Sequence, residues 1–255
     1  MLADPTLKIK VILEDPNFLV VEKPAGVPVY PLREDEKGTL IQGLLNQFPE
    51  ILQVGKQKFE GGAVHRLDND TSGLLLIARN QKTYEFFRNE FKNRRVEKEY
   101  LALVMGRMEK NRLPFNGKIN LPIEHHPKNK RKMKVLPSPL PLSPRERVSA
   151  GGGRVRGREA ITLFSVEKNF NKFTLLRVKI PTGVRHQIRA HLAYIGFPIV
   201  GDILYGGEKG RVEGLNRFFL HATRLKFRDP KNKKWIVCES KLSADLRKLL
   251  STFST

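Results

Sequence analysis

The sequence predicts a mixed α+β fold, and three observations carry the prediction. Short runs rich in Val, Leu, Ile and Phe recur along the chain between turn residues, which is the pattern of strands. Segments with aromatics at helical spacing lie among them. The two kinds of segment do not alternate regularly, which argues against a doubly wound parallel sheet.

Taken in order, residues 11–13 and 18–22 read as two strands around the turn residues Asp15, Pro16 and Asn17. Residues 73–78 (GLLLIA) are a continuous apolar run, either a buried strand or part of a core helix. Tyr84, Phe87 and Phe91 stand three and four residues apart, with Phe86 beside them. A helix over 80–94, capped by Asn80, would turn that aromatic stripe into the core. Residues 99–104 (EYLALV) read as another strand. From 137 to 157 the chain runs PSPLPLSPRERVSAGGGRVRG, with four prolines ahead of three consecutive glycines and no apolar period. Such a stretch is expected to be a flexible surface insertion. Residues 160–166 and 173–180 read as paired strands with Asn169 and Asn171 at the turn, and 187–195 as a short helix ended by Gly196 and Pro198. Residues 218–227 and 235–238 supply further strands, and Ser243 caps a final helix over 244–250.

The bulk numbers narrow the function classes. The 255 residues, 40% of them apolar, suffice for one large domain or two small ones. Forty-seven Lys and Arg against 26 Asp and Glu leave a net charge of +21. A chain that repels itself this strongly points to a polyanionic partner, and nucleic acid fits because each neutralised phosphate releases counterions. The single cysteine, Cys238, excludes an internal disulfide framework and a multi-cysteine zinc site. The N-terminus lacks the apolar run of a signal peptide, and no stretch approaches membrane-spanning length. The expectation is a soluble, cytoplasmic protein.

Polar residues concentrate at 64–79, VHRLDNDTSGLLLIAR, where His65, Arg66, Asp68, Asp70, Thr71 and Ser72 precede the apolar run. Two readings fit: Asx turns ending at Gly73, or an active site at the mouth of a buried element. Metal catalysis is disfavoured, because His186 and His191 stand five apart, roughly 140° around a helix, and no second ligand cluster completes a set. Gly-x-Ser-x-Gly and phosphate-loop motifs are missing. What remains is carboxylate chemistry, an Asp acting as nucleophile or proton acceptor while a nearby Arg holds it ionised.

Residues 65–79, HRLDNDTSGLLLIAR, closely resemble the HRLDxxTSGLLLxAR signature of the RluA-type pseudouridine synthases. Four more landmarks follow the family's order: KPAGVPVY (23–30), KEYLALVMG (98–106), TGVRHQIRAHLAYIGFPIVGDILYG (182–206) and LHATRLKF (220–227). The resemblance implies the pseudouridine synthase fold, a mixed, largely antiparallel central sheet flanked by helices. It also implies a catalytic domain over 14–240, between a short extension (1–13) and a C-terminal helix and tail (241–255). With about a dozen residues ahead of the first landmark, the additional N-terminal RNA-binding domain of some relatives is expected to be absent.

By the same resemblance Asp68 is the catalytic aspartate, Tyr100 packs beside the target base and takes part in proton transfer at C5, and Arg189 pairs with Asp68. His65 and Arg66 position the flipped nucleotide and fill the gap it leaves, and Leu67, Thr71, His186 and Gln187 line the substrate site. The implied activity is isomerisation of uridine to pseudouridine in ribosomal or transfer RNA by a monomer, with no cofactor and no metal. Val184 and Arg185 depart from the family's usual TGR, and the 137–157 segment looks foreign to it. Two rivals remain: a non-catalytic RNA-binding or assembly protein that keeps the fold, and a hydrolase using Asp68 and Asp70 with a divalent ion.

Overall fold

The computed structural model describes residues 1–33, 35–109, 113–137, 157–206 and 212–253. The chain forms two compact units, one of residues 1–100 with 220–247, the other of 101–219 with 248–255. The proline- and glycine-rich insertion lies almost wholly outside the described residues.

In the first unit, β1 (Lys10–Glu14) and β2 (Phe18–Lys23) make an antiparallel hairpin. Its turn is closed by Asp15, whose Oδ1 accepts the Asn17 N–H at 2.8 Å. β2 pairs antiparallel with β3 (Ser72–Ala78), from Phe18↔Ala78 to Lys23↔Gly73. The 73–78 run is therefore a strand, and all its residues are buried. β2 covers one edge of β3, and β10 (Leu220–Arg228) joins the other in parallel through His221↔Ser72 and Ala222↔Gly73. Because every residue of β3 is buried, both of its faces are covered, and such a strand can carry a continuous apolar run instead of alternating. β11 (Trp235–Glu239) returns antiparallel along β10.

Helix α2 (Gln81–Lys92) packs on this sheet, with Asn80 Oδ1 capping it by accepting the Thr83 N–H at 2.9 Å. Tyr84 and Phe87 are buried, and Phe87 meets Phe18 and Phe227 edge-on at 5.7 and 5.6 Å. Burying rings of this size stabilises by about 1.5–3 kcal/mol each. A second helix, α1 (Leu40–Leu45), was not expected from the apolar pattern, because all six of its residues are buried and show no period. Its signal was nevertheless present: Thr39 and Gln42 form a reciprocal capping box.

The chain passes from the first unit to the second within β4 (Glu97–Met105). In the second unit β8 (Ile161–Asn169) and β9 (Phe173–Lys179) form the expected antiparallel pair, and β5 (Lys118–Asn120) adds to β8. A separate two-stranded sheet is made by β6 (Ile123–His125) and β7 (Met133–Val135). α3 (Gln187–Tyr194) packs near β7 and β8, and α4 (Ile203–Gly206) is a single turn. α5 (Ala244–Thr252) ends the described chain. Sheets that are largely antiparallel, with helices kept to their faces and ends, define an α+β fold. No helix among the described residues is long and apolar enough to cross a membrane.

Candidate active site

Asp68 sits half-buried in the loop that leads into β3. Its backbone carbonyl accepts the Thr71 N–H at 3.1 Å, closing a tight turn ahead of the strand. Thr71 and Leu67 are buried on the inner side of this loop, whereas Arg66 is exposed. Gly73 follows with φ +115°, and a Cβ there would overlap the Ala222 carbonyl of β10. The glycine is needed for the close approach of β3 to β10, a different task from ending the turn.

The loop is braced from below. Lys23 is fully buried, and its ammonium donates to the carbonyls of Pro24, Val27 and Asn69 at 2.8, 2.7 and 2.6 Å. The Gly26 N–H also reaches the Asn69 carbonyl, at 2.9 Å. The segment 23–27 is thereby tied to the residue next to Asp68. On the other side Ser72 Oγ lies 2.9 Å from His221 Nδ1, and His221 Nε2 lies 3.1 Å from Ser240 Oγ, all three side chains being buried. This chain of polar groups fixes the entry of β3 against β10 and β11. Sequence reading singled out neither Lys23 nor His221, because each acts on a partner distant in the chain.

Tyr100 stands on β4 and is 5% exposed. Burial, and next the negative charge of Asp68, push its phenol well above the ordinary tyrosine range. The hydroxyl is therefore a neutral donor at any physiological pH, close enough to Asp68 to feel its charge.

His65 has a different task from Asp68. Its Nε2 accepts the Leu76 N–H at 3.0 Å, and its ring stacks on Phe91 at 4.7 Å. Burial first, then the charges of Lys98 and Arg88, lower its pKa to about 3, so it is a neutral imidazole bound into the sheet. Lys98, whose ammonium is 5.6 Å from the Phe91 ring, is itself pushed down to about 8 by burial. Arg66 holds its guanidinium 5.6 Å from the Tyr30 ring. Together the first unit gathers His65, Arg66, Leu67, Asp68, Thr71 and Tyr100.

The second unit holds His186, Gln187 and Arg189 at the start of α3. His186 is the N-cap, with φ +54° in the left-handed region, a strained posture for a residue with a side chain. Its Nδ1 lies 3.1 Å from Tyr205 Oη. Gln187 is 2% exposed, and its carboxamide is saturated within the fold. Oε1 accepts from Thr182 Oγ1 and the Val184 N–H at 2.9 and 3.1 Å. Nε2 donates to the Ile161 carbonyl and Thr162 Oγ1 at 2.8 and 3.2 Å. Two donors and two acceptors are thus used, which makes Gln187 a brace of the loop. Arg189 is forked by Asp202, Nε at 2.7 Å and Nη2 at 2.9 Å, beneath the Phe218 ring at 4.2 Å. His191 is fully buried between Thr162 Oγ1 and the Leu121 carbonyl, at 2.8 and 2.9 Å, and burial lowers its pKa to about 4.

The first unit thus places a half-buried carboxylate close enough to a buried phenol for its charge to act on it, in a chain of net charge +21. Comparison with known proteins makes the class specific. Residues 17–194 match the family model described as RNA pseudouridylate synthase. An uncharacterized RNA pseudouridine synthase of Chloroflexus aurantiacus is 37% identical over 89% of the chain and 64% of its own length. Ribosomal large subunit pseudouridine synthase D of Haemophilus ducreyi is 30% identical over 98% of the chain and 72% of its length. The solved structure of human RNA pseudouridylate synthase domain containing 1 is 25% identical, with a TM-score of 0.69 over 100% of this chain and 98% of that one. The chain belongs to the RNA pseudouridylate synthase family, a family of isomerases. It spans somewhat under two thirds of the length of the Chloroflexus relative and somewhat over two thirds of the Haemophilus one.

Proposed function

We propose that the chain converts selected uridines of ribosomal or transfer RNA to pseudouridine, with Asp68 as the reacting carboxylate. The observation that carries this reading is Asp68 at the mouth of β3, near enough to a buried Tyr100 for its charge to act on the phenol. Ribosomal RNA is favoured by the names of relatives such as the Haemophilus ducreyi enzyme.

The reaction breaks the C1′–N1 bond, turns the uracil and forms C1′–C5. The C5 proton leaves to solvent and N1 regains one, so atoms balance without any redox partner. Asp68 either attacks C1′ or removes the 2′ proton to give a glycal. Its oxygens reach the sugar only when the nucleotide leaves its stack, which costs a few kcal/mol and favours loops over firm duplex. Tyr100 supplies a flat wall and an O–H donor for the turned base. It enters the reaction as a phenol, because the phenolate is disfavoured by both burial and Asp68. Arg66, exposed above Tyr30, is suited to fill the space the base vacates. Arg189 is held by Asp202 within its own unit. We place this work in the cytoplasm, carried out by a monomer.

The test is to incubate the protein with unmodified ribosomal and transfer RNA transcripts, digest them to nucleosides and separate uridine from its isomer of equal mass. Pseudouridine in one transcript class at defined positions is the expected result. RNA bound tightly with no isomer formed in either class would favour the binding-protein reading.

A further inference from the structure

Between Ile123 and Val135 the chain carries five Lys or Arg and one acid, Glu124. β6 and β7 pair there through Ile123↔Val135, Glu124↔Lys134 and His125↔Met133. Ile123, Met133 and Val135 are buried, while His125, Lys128, Lys130, Arg131 and Lys134 are exposed.

The turn that presents these cations is fixed by its own hydrogen bonds. His126 Nδ1 accepts the N–H groups of Lys128 and Asn129 at 3.2 and 3.1 Å. Asn129 Oδ1 accepts the Arg131 N–H at 3.0 Å, and the Lys132 N–H closes onto the Asn129 carbonyl at 2.9 Å. Like charges at this density repel, and a loose loop would splay them. Here the turn holds them together, so a polyanion that binds relieves a repulsion already present. Arg185, the residue that departs from the family's usual TGR, is exposed and reaches the Lys130 carbonyl at 3.5 Å, which adds one more cation to the cluster.

The base of the hairpin is fixed as well. The Met133 N–H donates to Tyr205 Oη at 2.8 Å, and the Tyr205 N–H donates to Asp202 Oδ1 at 3.2 Å, the carboxylate that forks Arg189. The presented side chains from 125 to 134 are basic or polar apart from Pro127, with no exposed apolar anchor of the kind a protein partner or a lipid surface would engage. We propose that the β6–β7 hairpin is a preformed docking surface for the RNA phosphate backbone. This inference rests on the reading of RNA as substrate, and it assigns a part of that binding to a named element.

The experiment compares wild type, a hairpin variant (Lys128→Gln, Lys130→Gln, Lys134→Gln) and a charge-matched control (Lys37→Gln, Lys56→Gln, Lys82→Gln). A fluorescent ribosomal RNA stem-loop transcript is titrated by anisotropy across a KCl series, with thermal melts to confirm equal folding. Each lysine engaged with phosphate contributes about 0.7–0.9 to the slope of log K against log salt. The hairpin variant is expected to lose about two from that slope and at least about tenfold in affinity near 0.1 M salt. Its single-turnover rate at saturating RNA should stay at the wild-type value, and the control should bind as wild type does. An unchanged slope in the hairpin variant, or an equal fall in the control, overturns the proposal. If wild type forms no pseudouridine but hairpin-dependent binding persists, the catalytic reading fails and the docking surface stands.

Discussion

The loop entering β3 and the loop entering α3 both crowd polar side chains against a buried element, yet they use their hydrogen bonds differently. In the first, one motif residue, His65, braces the strand through the Leu76 N–H, and neighbours supply the rest: Lys23 holds the Asn69 carbonyl, and His221 holds Ser72. Asp68 and Arg66 are left half-buried and exposed. In the second, the motif residues are themselves the braces: Gln187 is saturated, and Arg189 and His191 are buried against Asp202 and Thr162. Polar density in a motif therefore includes groups that hold the loop, and burial with saturated bonding marks Gln187 as one of them.

Removing a brace should cost stability before it costs chemistry. Gln187→Ala leaves the Val184 N–H without its partner and removes one of two donors to the Ile161 carbonyl, a loss of about 1–3 kcal/mol. A urea midpoint lowered accordingly sharpens the contrast between the loops, and a shift under about 0.5 kcal/mol would break it.

Acid should act on the braces as well. His191, and His65 in the first unit, have folded-state pKa values depressed to about 4 and about 3, from an ordinary 6.5. The unfolded chain binds these protons first, so the stability from keeping the rings neutral is full above pH 6.5. It is lost as pH falls from there towards the folded values. A tenfold difference in proton affinity between the folded and unfolded chain is worth about 1.4 kcal/mol, so melting temperature should drop steadily between pH 7 and pH 5. A His191→Asn variant should show a shallower drop, and an unchanged pH profile would mean that the ring charges without cost.

The smallest effect is expected at the exposed edge of the first loop. Arg66→Gln removes the cation over Tyr30 and should raise KM by a few-fold, leaving melting temperature unchanged. A large fall in stability would show that Arg66 holds the loop and does not face the RNA.

Much of the architecture was legible in the sequence, for physical reasons. Strands β1, β2, β8 and β9 carry apolar runs between Asn- and Asp-rich turns, and α2 announces itself by Asn80 and an aromatic stripe. β3 stayed ambiguous with a helix because a strand buried on both faces has no alternation to read. β5, β6 and β7 are three residues each, too short for any period. At the site, Asp68 stood out only through the family resemblance, since the same residues also spell a turn. Lys23 and His221 fall within two of the landmarks, yet their bracing contacts could not be read, because Lys23 meets Asn69 across 46 residues and Ser72 meets His221 across 149.

Central to the proposed function is that Asp68 reacts and does not merely hold the loop. The direct measurement is tritium release from RNA carrying [5-³H]uridine by wild type and Asp68→Asn, alongside melting and RNA binding of both. The expected result is release by wild type, a loss of at least about 10³-fold in the variant, and melting and binding left as they were. Equal release by both proteins, or a variant that no longer folds, would contradict it.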